Sequence, residues 1–122
     1  MKILTDLIAR ILFAIPIAIF GSFHFMNAEA MAAMAPFGGQ IMVYITGVPL
    51  ILAAVAIIIK KKAALATLLL GVFLILTATL VHMKSVMGGN EMAMGQVLKD
   101  FSLAGASLFM SGIFRKEEEA AE

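Results

Sequence analysis

Among the ionisable residues within or at the edges of long apolar stretches are Arg10, His24, His82, Lys99 and Asp100. Burying such groups in a membrane is costly, so they usually face a bundle interior or a water-filled cavity. Histidine changes protonation near neutral pH, and a carboxylate or amine beside it can exchange or stabilise that proton. On a helix, Arg10, Ala14, Ile17, Gly21 and His24 share one face. Thr67, Gly71, Leu74, Ala78 and His82 share another, and Asp100, Ala104, Ser107 and Ser111 form a small polar one suited to close packing. Lys99 and Asp100 point about 100° apart, so Asp100 is free to meet a group on a different helix. Two readings stay open. In one, His24, His82, Lys99, Asp100 and Arg10 line a titratable ligand pocket. In the other, the same groups satisfy one another and set helix register. Asp6 lies four residues before Arg10, a spacing that favours a structural pair near the interface.

A second chemistry rests on methionine, of which there are ten. Met31-x-x-Met34 and Met92-x-Met94, with two histidines nearby, supply thioether and imidazole ligands of the kind that hold Cu(I). Methionine is as often an apolar filler. Two histidines on different helices also have the ligand type for haem, although both sit near the membrane edge. There is no cysteine, which excludes disulfides, thiol exchange and thiolate-bound metal centres. No nucleophile triad, phosphate-binding glycine loop, zinc-protease motif or dinucleotide fingerprint is present. A formal net charge of +1 without a basic stripe gives no reason to expect nucleic acid.

The elements that must position these residues follow from hydropathy. Of 122 residues, 62% are hydrophobic and 14% charged, against roughly 45–50% and about 25% in soluble domains. So short a soluble domain has too little interior for that much apolar surface. Spanning a bilayer takes about 20 mainly apolar residues. Four stretches qualify, at about 4–26, 40–59, 63–83 and 95–114. The expectation is one transmembrane domain over residues 1–122: an all-α integral membrane four-helix bundle with short interfacial connections. The fourth helix is the least apolar, with an uninterrupted run only from Phe101 to Phe114. Pro16 and Pro49 are candidate kinks. Residues 27–39 read as a short helical or re-entrant piece, and Gly88-Gly89 as a loop breaker. The tail 117–122, with three consecutive glutamates, reads as a frayed, solvated end.

Lys2, Lys60 to Lys62, Arg115 and Lys116 fall on one side of this topology, which the positive-inside rule places in the cytoplasm together with both termini. The first helix reads as an uncleaved span rather than a signal peptide, because Asp6 and Arg10 interrupt it and its apolar stretch is long. His24-Phe25-Met26-Asn27 and His82-Met83-Lys84 form a weak echo, as two parallel hairpins would. Gly21, Gly71, Gly105 and Gly112 permit close helix contacts, including those of a homo-oligomer.

With these residues laid out, the chain resembles the DoxX family of small bacterial four-helix membrane proteins. The similar pieces are Phe20-Gly21-Ser22-Phe23-His24-Phe25, Val43-Tyr44-Ile45-Thr46-Gly47, Val81-His82, and the run Val97-Leu98-Lys99-Asp100-Phe101-Ser102-Leu103-Ala104-Gly105-Ala106. Departures are Pro49-Leu50, where members often carry a glutamate, and Ser102 and Ser107, where apolar residues or glycine are frequent. The resemblance implies an inner-membrane protein associated with redox or oxidative-stress systems, an accessory subunit of an oxidoreductase rather than a complete enzyme. It also implies a quinone headgroup or a partner surface near His24, His82, Lys99 and Asp100. A small solute or proton transporter, and a membrane anchor for an extracytoplasmic enzyme, are the alternatives.

Overall fold

The computed structural model describes residues 2–33 and 38–122. Among these the chain is helical, without a strand. Four long helices run Ile3–Met26, Gly39–Ile59, Ala63–Met87 and Ala93–Ala121, each long and apolar enough to cross a membrane. They are called the first to fourth helices below. A short helix, Ala28–Ala32, follows the first. Leu12, Leu52, Leu69 and Phe109 each leave more than half of their surface exposed. Such an outer surface belongs in hydrocarbon rather than water. The architecture is an all-α four-helix bundle, that of a multi-pass membrane protein in contact with lipid.

The bundle is two close-packed hairpins with a looser seam between them. The first helix packs along the second and the third along the fourth, whereas the hairpins meet mainly along the second and third helices. The first and fourth hardly touch. Small residues explain the closeness within each pair. A Cβ added to Gly21 would lie 2.7 Å from Ile51 Cγ1 and 3.1 Å from the Gly47 carbonyl oxygen. In the second hairpin, a Cβ on Gly71 would lie 2.8 Å from Leu108 and 3.3 Å from the Ala104 carbonyl oxygen. The core around them is rich in alanine, with Ala14, Ala54, Ala63, Ala78 and Ala104 buried.

Hydroxyls knit the second hairpin. Ser107 Oγ donates to the Thr67 carbonyl and Ser111 Oγ to the Ala64 carbonyl, each at 2.7 Å. The small polar face of the fourth helix, Asp100, Ala104, Ser107 and Ser111, is buried throughout.

At the end carrying the termini, the structure departs from the frayed tail expected of residues 117–122. The fourth helix continues through Ala121, about 43 Å in all at 1.5 Å per residue. Hydrocarbon is only about 30 Å thick, so its last turns stand clear of the lipid. Alanine and glutamate favour the helix there, and two glutamates anchor it. Glu117 lies 3.4 Å from Lys60 Nζ, and Glu118 accepts a hydrogen bond from the Ala64 amide at 3.1 Å.

Candidate functional site

The end of the bundle remote from the lysine triplet gathers polar side chains from three helices. Near its end the third helix winds as a π-helix over Ala78–His82, before a last α-helical turn to Met87. Such turns occur often at functional sites because they rotate side chains out of α-helical register. Here the turn ends on His82, whose Nδ1–H donates to Asp100 Oδ2 at 2.5 Å. Asp100 is only 4% exposed. A carboxylate at that depth needs a partner, and His82 is it. Because the carboxylate accepts from Nδ1, the His82 tautomer is set and Nε2 is the nitrogen left to act elsewhere.

His24 repeats this arrangement with a backbone partner. Its Nδ1–H donates to the Phe20 carbonyl at 2.7 Å, again leaving Nε2 without a partner among the described residues. Lys99 Nζ donates to Gln96 Oε1 at 2.6 Å and stands 4.7 Å above the Phe20 ring. That cation–π contact crosses from the fourth helix to the first, where the backbones do not meet.

These groups face a cavity of about 370 Å³ on the seam between the hairpins. His24, His82, Lys99 and Asp100 crowd its polar end, and Ile17, Leu50, Phe73 and Leu74 belong to its apolar walls. Beneath it the bundle closes on Ala14, Ile57, Thr67 and Ser107, all essentially inaccessible. The form suits an amphiphile with a compact polar head and an apolar body. A quinone fits this donor set: apolar walls for ring and tail, Lys99 as a hydrogen-bond donor to a carbonyl, and His82 backed by Asp100 as an acceptor for a hydroxyl.

Arg10, grouped with this pocket from the sequence, is not brought to it. Its guanidinium sits at the opposite end, with Nε donating to Asp6 Oδ1 at 2.8 Å and Nη1 to the carbonyls of Ile57 and Ile58. The physical reason is helix length. Fourteen residues separate Arg10 from His24 on one face, or about 21 Å of rise, and the open carbonyls ending the second helix lie level with Arg10.

The soft-ligand candidates also divide. Met31 lines the cavity, Met92 and Met94 lie at the start of the fourth helix, exposed, and Met34 falls outside the described residues. Among the described residues no group of three or more histidine, aspartate or glutamate side chains is placed to hold a metal ion. Sequence reasoning missed Phe20, Gln96 and Met42 as parts of the site. The spacing of Gln96 and Lys99, three residues apart on one helix, was a usable signal. The approach of Phe20 to Lys99 depends on packing and had none.

Comparison of the chain with family models, with curated proteins and with solved structures finds no match.

Proposed function

We propose that the cavity binds a quinone, and that the protein is a DoxX-like redox-associated membrane subunit working with an oxidoreductase partner. The observation that carries this reading is the His82–Asp100 pair set at the polar end of an otherwise apolar cavity. In the proposed orientation both termini and the lysine triplet face the cytoplasm, so the cavity lies near the outer leaflet of the inner membrane.

A bound quinone supplies reversible proton-coupled electron transfer. The chain's own residues then have defined tasks. The apolar walls hold the ring and tail and keep water from them. Lys99, steadied by Gln96 and Phe20, donates to a carbonyl oxygen and stabilises negative charge there. When the bound group is in its quinol form, His82 Nε2 would accept the proton of a hydroxyl as the electrons pass to the partner, and Asp100 would hold the imidazole through Nδ1–H. The packed core beneath the cavity supports a binding site over a solute path running through the bundle.

The test is extraction of small molecules from protein purified in mild detergent, followed by mass spectrometry. Wild type is expected to retain a quinone near stoichiometric amounts, and the Lys99→Ala/Asp100→Ala double variant to lose it. A folded wild-type sample that neither retains quinone nor binds added quinone in direct titration would sink the proposal.

A further inference from the structure

A second groove lies on the outside of the seam, at the opposite end from the cavity just described. It has a volume of about 460 Å³ and runs between the second and third helices. Pro49, Ala53 and Ala56 form one side, Leu65, Ala66 and Leu69 the other, and Lys62 closes its end. Along its third-helix lining, from Leu65 to Phe73, the groove rises roughly 12 Å, within the roughly 15 Å of one leaflet, with Lys62 at its end.

The charges at this end are unevenly spent. Lys60 is held by Asp6 and Glu117, Arg10 by Asp6 and two carbonyls, and Glu118 by the Ala64 amide. The ammonium groups of Lys61 and Lys62 have no hydrogen-bond or ion-pair partner among the described residues, and both residues are exposed. Lys62 also adopts a left-handed backbone, φ 53°. Glycine holds that conformation at less cost, so a lysine there carries a side chain that the turn itself does not require.

From these observations we infer that the groove is a site for an anionic phospholipid. One acyl chain lies along the alanine-lined channel, and the phosphate meets Lys62 at its mouth. Complementary charge sets the choice of lipid, because an ammonium beside an apolar channel favours a headgroup with net negative charge over a zwitterionic one. The site is separate from the quinone reading and stands or falls without it.

The experiment is native mass spectrometry of the full chain, released in mild detergent from vesicles of equal phosphatidylglycerol and phosphatidylcholine with matched acyl chains. Wild type is expected to keep one phosphatidylglycerol in preference to phosphatidylcholine by about fivefold. Lys62→Gln should bring that ratio close to one. Lys116→Gln, which removes the same charge away from the groove, should leave it unchanged, and Ala56→Phe should displace the bound lipid of either kind. Millimolar inorganic phosphate should not compete. A wild-type ratio near one, an equal loss in Lys116→Gln, lipid retained in Ala56→Phe, or displacement by phosphate would each overturn the assignment.

Discussion

The two ends of the bundle hold similar kinds of residue and use them differently. At the lysine end, Asp6, Arg10, Lys60, Glu117 and Glu118 meet one another or the bare backbone at helix ends. They tie all four helices together. At the other end, His24 and His82 each commit one ring nitrogen and leave the second without a partner among the described residues, where both line an apolar cavity with a lysine. Satisfied charges hold helices in register, whereas half-committed ones are available to a ligand. The same residue types are thus spent on one another at one end and left partly unpaired beside a cavity at the other, according to whether the neighbouring helices touch.

This contrast can be broken from either side. The largest effect is expected at the lysine end. Arg10→Ala removes the donor to two carbonyls and one of the two cations on Asp6, and should lower unfolding stability by roughly 2–4 kcal/mol, chiefly through the carbonyls left unpaired. Thermal unfolding in detergent reads this, and quinone binding by the folded fraction should not change. An unchanged melting temperature would show that the network does not hold the helices.

The close-packed glycines come next. Gly21→Ala forces a methyl against Ile51 and the Gly47 carbonyl, with an expected loss of about 1–3 kcal/mol. Gly105→Ala is the control, since nothing lies within 4 Å of its added Cβ. Equal effects of the two substitutions would refute the close-approach argument for the first hairpin.

At the cavity end the sign of the contrast reverses. Asp100→Asn keeps an oxygen acceptor for His82 but removes the negative charge beside it. Quinone affinity is expected to fall about tenfold, roughly 1.4 kcal/mol, with little change in melting temperature. A titration showing undiminished affinity would leave the pair a purely structural contact. The smallest effect is expected for Ser111→Ala, which gives up one interhelical hydrogen bond. Such bonds in membrane bundles contribute about 0.6 kcal/mol on average, and the loss is readable as a small, reproducible shift in the same unfolding curve.

Much of the architecture was legible in the sequence because a bilayer imposes simple rules. Four runs of apolar residues long enough to span it have to be helices, since every backbone group must be satisfied within the segment. The inward faces were legible for the same reason. Ala14, Ile17 and Gly21, then Thr67, Gly71 and Leu74, then Ala104, Ser107 and Ser111 are mostly small or polar, with only Ile17 and Leu74 large and apolar, and all are buried. The gathering of His24, His82, Lys99 and Asp100 at one end needed only alternating helix direction and helix length.

Other features depended on distances between helices, which no single stretch of sequence encodes. The π-helical turn that presents His82, the bond from Glu118 to Ala64 and the departure of Arg10 from the polar pocket all arise where two helices meet at a particular height. The cavity itself exists because the first and fourth helices stay apart while each packs tightly on its own hairpin partner. Hydropathy and helical spacing therefore determined that this chain is a membrane bundle and which faces turn inward, since those are properties of one helix in one solvent. The tertiary structure alone decided which charges are satisfied and which face open space, because a partner's presence depends on how closely two helices approach.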